Sequence, residues 1–323
     1  MKLTAVIVLL VAVAGVVVSQ AVLAQAYPSK PVRIVVSWPP GGSNDVVARV
    51  LAQRLTETLG QTFVVENRAG ATGTIGSELV AKSPPDGYTI LVNSATHVAN
   101  PHIYRKLPYD TMKDFTGILP LCQQIGILVV HPSLPAHSVK ELIALAKARP
   151  NQIAWASTGT GSYTWVTMAL LLQTTGTKML EINYKGGGPA MIALSAGEVQ
   201  AFFVGTGSVT SALPAGRVRA LAVASSHRLK QFPDVPTVAE TVPGYEMTAW
   251  VGSFVPSATP RATLELLNTE FRKALESPEA AKILSSQALD PMPMTVDEFA
   301  QRLKTDYDKY EKLIKATGAK QIQ

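Results

Sequence analysis

The stretch Val32 to Leu59, VRIVVSWPPGGSNDVVARVLAQRLTETL, limits what this chain can become more than any other. Val32 to Val36 is a β-branched run of the kind that forms a buried strand. Pro39 and Pro40 withhold ladder donors, and Gly41 and Gly42 permit tight bends, so the strand has to end there. Ser43, Asn44 and Asp45 are all N-cap residues, and Val46, Val47, Val50, Leu51, Leu55 and Leu59 follow at helical spacing. A glycine loop between a strand and a helix leaves N–H groups pointing outward at the positive end of the helix dipole. That arrangement suits a carboxylate as well as a phosphate. Without a ligand, the same turn is a sound strand-to-helix connection with water on its N–H groups.

Residues 1–26 read as a leader. Lys2 gives a short positive start, Ala5 to Val18 is apolar throughout, and Ala24-Gln25-Ala26 is an A-x-A cleavage pattern before Tyr27. No basic stop-transfer cluster follows, so export with cleavage is expected, a retained N-terminal anchor being the alternative. Without Lys2 the formal net charge falls from +6 to +5, and the basic residues form no run or aromatic-interleaved stripe of the kind nucleic acid requires. Cys122, the single cysteine, sits in the apolar run ILPLCQQIGILVV, where an inert buried role is expected. Export without an intramolecular disulfide points to a bacterial periplasm.

The mature chain alternates strand and helix patterns, as an α/β fold with mostly parallel sheets requires. Strands are expected at 63–66, 88–92, 126–131, 153–156, 199–204, 219–224 and 249–255. Helices are expected at 138–148, from Ser162 to about Thr175, and at 189–196, 208–213, 263–275, 278–287 and 296–316. Asn67 to Gly76 is a further glycine-rich turn, and Ser138 with Glu141 has capping-box spacing. Ser157-Thr158-Gly159-Thr160-Gly161-Ser162 repeats the opening theme of strand, small polar loop and helix. Two such units predict two sheets, one per lobe, with a cleft between them.

Familiar catalytic motifs are missing. The five histidines (His97, His102, His131, His137, His227) show no H-E-x-x-H and no metal-ligand spacing, so neither a metal nor a cofactor is expected. There is no G-x-S-x-G elbow and no phosphate loop. Gly159-Thr160-Gly161 begins a dinucleotide fingerprint, but position 164 is Thr. Ser157 or Ser162 with His97 as base is the one imaginable nucleophilic pair, and nothing in the sequence orients it. A non-enzyme is expected.

Seven fragments along the chain carry a family resemblance: YPSKPVRIVV; PPGGSNDVVAR; VVENRAGATGTIGSELVAKSPPDGYTIL; THVANPHIY with LPYDTMKDF; INYKGGGPAM; GRVRALAVASSHR with FPDVPTVAE; and PGYEMTAWVGSFVPSATP. In these the chain resembles the Bug-type solute receptors, the periplasmic binding components associated with tripartite tricarboxylate transporters. The resemblance implies a two-lobed Venus-flytrap receptor that binds a small organic acid for a membrane partner. It implies one lobe from 27–125 and 247–323 and another from 126–246. It also implies a carboxylate clamp of loop amides and bridging waters. The matching positions are Gly41, Gly42 and Ser43, with Asn44 and Asp45 beside them; Asn93, Ser94, Thr96 and His97; Ser157, Thr158, Gly159 and Ser162; and Tyr184, Lys185 and Gly186. Asp45 is more readily a cap than a contact, since its charge would repel an anion. Lys185, among glycines, is the cationic candidate for a second carboxylate. Trp38 abuts the loop where the family more usually has phenylalanine, while Trp155, Trp165 and Trp250 read as core.

Ala193 stands where the family commonly has aspartate, and the acid often found near Val204-Gly205 is absent. Those losses weaken an amino-acid ligand and favour plain mono- or dicarboxylates, aromatic ones included. The resemblance implies a monomer serving membrane transporter subunits or a signalling partner. The reading from another class is an exported hydrolase or isomerase using Ser157 or His97.

Overall fold

The computed structural model describes residues 27–210, 212–287, 289–317 and 321–322. The leader and cleavage pattern read at 1–26 lie outside the described residues. The chain opens with β1 (Val32–Val36), α1 (Ser43–Leu59), β2 (Phe63–Asn67), α2 (Thr74–Ala81), β3 (Thr89–Ser94) and α3 (Thr96–Ile103). β1 lies parallel to both β2 and β3, and its apolar residues are fully buried, as in a strand covered on both faces. On one face Val32, Ile34 and Val36 share a core with Val47, Leu51 and Leu55 of α1, which ends at Gly60 with φ 69°. On the other, Val35 and Leu91 meet Val80 of α2 and Val98 of α3.

The long β4 (Phe115–Val130) follows, then α4 (Val139–Ala148), β5 (Ala154–Ser157), α5 (Tyr163–Thr175), β6 (Leu180–Asn183), α6 (Gly187–Ser195), β7 (Ala201–Gly205) and β8 (Arg219–Val223). β5 is parallel to β6 and β7, whereas β7 and β8 run antiparallel to the far end of β4. Ser138 caps α4 through Oγ, which accepts from Glu141 N at 3.2 Å. The Glu141 carboxylate accepts from His137 N at 2.7 Å, one residue before the usual capping-box partner.

β9 (Thr248–Pro256) returns between β3 and β4, and α7 (Arg261–Glu276), α8 (Pro278–Ser286), the two-residue β10 (Asp290–Pro291) and α9 (Val296–Thr317) complete the chain. Asn268 of α7 donates to Ile118 O at 2.7 Å, and Trp250 Nε1 donates to Asp306 of α9 at 2.7 Å, which fixes these helices on the first sheet. Among the described residues, no helix is long and apolar enough to cross a membrane.

The strand order is β2-β1-β3-β9-β4-β7-β5-β6, with β8 and β10 also on β4. The fold is α/β and two-lobed, but two separate and mostly parallel sheets are not what forms. Strands that cross between the lobes lie beside their own return, and returning neighbours pair antiparallel. β4 belongs to both sides. From Phe115 to Ile125 it pairs with β9, and from Gly126 onward with β7 and β8. The other crossing lies beside it, because Thr248, the first residue of β9, is the partner of Ile125.

β4 also starts well before the expected Gly126. Pro120 falls where the register against β9 shifts, and such an irregularity tolerates a residue without a donor. The helix expected at 208–213 is a single 3₁₀ turn at Thr206–Val209. Cys122 is fully buried, and burial pushes its thiol up to about 12, so it stays protonated and inert.

Candidate functional site

The first loop is braced from behind. Gly41 takes φ +86° and donates its N–H to Asp45 Oδ2 at 3.0 Å; Arg49 Nε and Asn67 Nδ2 also donate to that carboxylate, each at 3.0 Å. Burial alone would raise the Asp45 carboxyl, but these three donors hold it below the usual carboxylate range. Asp45 therefore spends its charge on the loop. Trp38 Nε1 donates to Asn93 Oδ1 at 2.9 Å, and Asn93 Nδ2 in turn to Ser77 Oγ at 3.2 Å, so the indole is fixed as well.

The cap of α1 is Gly42, not Ser43, Asn44 or Asp45, and there is no side-chain cap hydrogen bond. The opening N–H groups of the helix have no intrahelical partner and face outward. Of the two glycines, Gly41 takes the left-handed backbone that the bend requires, while Gly42 sits at φ −87°, which other residues also adopt. A Cβ at either position would meet nothing within 4 Å.

Two helix starts from the other lobe face this one. α5 begins after Gly159 (φ +111°) and Gly161 (φ +78°), and Ser162 Oγ caps it by accepting from Trp165 N at 3.3 Å. α6 begins after Gly186, φ +153°, with no side-chain cap. All three starts line one cavity of about 500 Å³ through Gly42, Ser43 and Asn44, Ser162 to Thr164, and Gly187 to Pro189. Not one Asp, Glu, Lys, Arg or His is among the described residues lining it. Its polarity therefore comes from backbone N–H groups, helix dipoles, hydroxyls and the amides of Asn44, Gln124 and Gln287. A second cavity, of about 930 Å³, adjoins it and shares Trp38, Pro39 and Thr158 as walls.

Of the residues singled out by sequence, Trp38, Gly41, Gly42, Ser43, Asn44, Ser94, Thr158 and Ser162 line the first cavity, and Gly159, Tyr184 and Lys185 the second. Asp45, Asn93, Thr96, His97, Ser157 and Gly186 line neither. Thr96 hydrogen-bonds Ser94 at 2.8 Å, and Ser157 Oγ donates to Glu181 Oε1 at 2.6 Å. His97 is fully buried among Tyr109, Phe115 and Phe254, and that burial pushes its imidazole down to about 3. Ser157 and His97 thus stand apart from the cavity and have other surroundings.

Gln124, Gly205, Ser208 and Gln287 also line the first cavity, and the turn Ala69–Gly73 with Tyr104 the second. Gln124 had a signal: it is a polar break in an apolar run, one residue before β4 reaches its last first-lobe partner. Gln287 had none, because only tertiary packing brings the end of α8 to the cleft.

The segment from Gly159 to Gly207 meets the N-terminal segment and the end of α8 through glycines. A Cβ built at Gly186 would lie 2.9 Å from Pro39 Cγ, at Gly159 3.0 Å from Thr72 Oγ1, at Gly205 3.3 Å from Ser43 Oγ, and at Gly207 2.8 Å from Gln287 O. Side chains at these positions would hold the facing segments apart.

The family model for the tripartite tricarboxylate transporter family receptor matches residues 47–319. Protein BugT of Bordetella pertussis is 36% identical over 322 residues, covering 99% of this chain and 98% of BugT. The solved structure of R. palustris Rpa4515 with adipate matches at a TM-score of 0.88 and 32% identity, covering 92% of this chain and 100% of that one. MatC from Rhodopseudomonas palustris with bound malate matches at 0.84 and 30% identity, covering 89% of this chain and 100% of that one.

Proposed function

The chain belongs to the tripartite tricarboxylate transporter receptor family, and on that premise we propose that it captures a small organic carboxylate between its lobes and delivers it to a membrane transporter. The family is one of solute-binding receptors, and the chain has the fold of periplasmic binding proteins. One observation carries the proposal: three helix starts converge on a cavity whose described lining residues include no charged side chain. Such a site offers N–H donors and positive helix ends to an anion and no carboxylate to a cation. The carboxylate would lie against Gly41, Gly42, Ser43 and Asn44 on one side and Thr158, Ser162 and Gly187 on the other, with waters bridging. In this reading Asp45, Asn93 and Thr96 position the loops and do not touch the ligand. The adipate and malate of two solved neighbours support a dicarboxylate.

The change of partners along β4 supports lobes at 27–125 with 247–323 and at 126–246. Export with cleavage after Ala26 would place the monomeric receptor in the periplasm.

A thermal-shift screen over organic acids tests the reading, since a ligand at ~100 times its Kd stabilises by roughly 2.7 kcal/mol. Gly42→Val tests the loop. The φ of Gly42 suits a β-branched residue and its Cβ direction is open, so the apo protein should melt within a few degrees of wild type. The valine methyls would stand on the N–H groups and abolish binding. Calorimetric titration with unchanged affinity would remove this loop from the site.

A further inference from the structure

We propose that the first sheet carries a further binding site, apart from the two cleft cavities, and that it takes a small neutral phenol through His97. A cavity of about 150 Å³ lies among α3, the start of β4, β9 and α9, and it shares no lining residue with the other two. Phe115, Phe254 and Leu303 give it buried apolar walls, while Met112 and Lys304 bring its lining out to the surface. His97 is the anomaly among these residues. It is fully buried, yet neither Nδ1 nor Nε2 has a hydrogen-bond partner among the described residues. The two lining threonines are already committed, since Thr111 Oγ1 donates to His97 O at 3.3 Å and Thr116 Oγ1 to Ser257 O at 3.5 Å. A phenylalanine would fill the same space without burying two unpaired polar atoms, so packing does not account for an imidazole here.

The guest follows from the walls. A mostly apolar cavity of this size accepts a benzene-sized molecule. Phe115 and Phe254 have their ring centroids 4.7 and 4.5 Å from that of His97, so an aromatic guest meets other rings. Burial keeps the imidazole neutral at pH 7, and it offers one N–H and one lone pair to a hydroxyl. A carboxylate would be buried against a neutral ring, because the one cation of the lining, Lys304, is exposed. The site therefore selects a neutral aromatic alcohol, whereas the cleft suits an anion.

The test is an NMR titration at pH 7 with phenol and with toluene, guests of nearly equal shape, on protein labelled at the methionine methyls and the histidine ring nitrogens. Phenol stays neutral at that pH. It should shift the Met112 methyl saturably and move the His97 ring nitrogens, which toluene should leave in place. His97→Leu keeps an apolar wall of similar volume and removes the hydrogen bond, so phenol should bind about tenfold more weakly and toluene no more weakly. Ala300→Phe, on the α9 wall, should fill the cavity and abolish the phenol shift at Met112. No saturable shift at Met112, ring nitrogens that respond alike to both guests, or unchanged phenol affinity in His97→Leu overturns the proposal. The ring-nitrogen result needs no variant, so it decides even where a substitution prevents folding. None of these outcomes bears on the carboxylate reading of the cleft.

Discussion

Single side chains in this protein are assigned by what surrounds them. Asp45 and His97 show this most clearly. Both lie in segments expected from sequence to form binding loops, and neither lines either cleft cavity. Asp45 holds the loop by accepting from Gly41, and His97 fills an aromatic core with neither ring nitrogen bonded to protein. Neither role is written in the local sequence, because a loop histidine and a core histidine differ only in which distant rings close over them. The buried imidazole has a measurable consequence. The unfolded chain protonates His97 near pH 6.5 and the folded chain near 3, so between these values only the unfolded state gains the proton. Stability is therefore complete above pH 6.5 and falls as the pH drops through the window, by up to about 1.4 kcal/mol per pH unit. His97→Phe should flatten that fall. Urea melts of both proteins between pH 6.5 and 4.5 check it, and parallel slopes would assign the acid sensitivity elsewhere.

At the scale of elements, the strand, glycine turn and helix units were legible because each is a local contest that proline, glycine and helical spacing decide together. β1 and α1, β5 and α5, and the Ser138 cap fall where propensity and pattern agree. The first eleven residues of β4 were not legible, since Pro120 and Gly117 argue against a strand and only pairing with β9 outweighs them. The glycine-lined meeting of the lobes was equally hidden: a glycine's sequence position says nothing of which atom lies opposite. Gly207→Ala isolates its effect. Gly207 needs no positive φ, yet its Cβ would press on the backbone oxygen of Gln287 in the other lobe. The overpacking should cost the liganded state about 1–3 kcal/mol, while the free protein relieves it by opening slightly. A weaker Kd with an unchanged apo melting temperature is the expected pair of results. Equal loss in both states would mean that the lobes are pressed together with or without a ligand.

On the scale of the whole molecule, alternation of strand and helix gave the α/β class and its two halves, while the antiparallel junction depends on contacts far apart in sequence. That junction couples the halves. Multi-lobed proteins often unfold in steps, but here β4 runs unbroken through both sides and β9 lies along it. Scanning calorimetry should give one transition whose calorimetric and van't Hoff enthalpies agree, and two resolved peaks would contradict the coupling. The shared strand also bears on any attempt to divide the molecule. Cutting between Ile125 and Gly126 would strip β4 of its continuation and leave β7 and β8 without the strand they pair with. Each fragment would carry a long open edge of unpaired N–H and C=O groups, and such edges recruit other chains. The two halves of this receptor, joined along β4, can thus be made only as one.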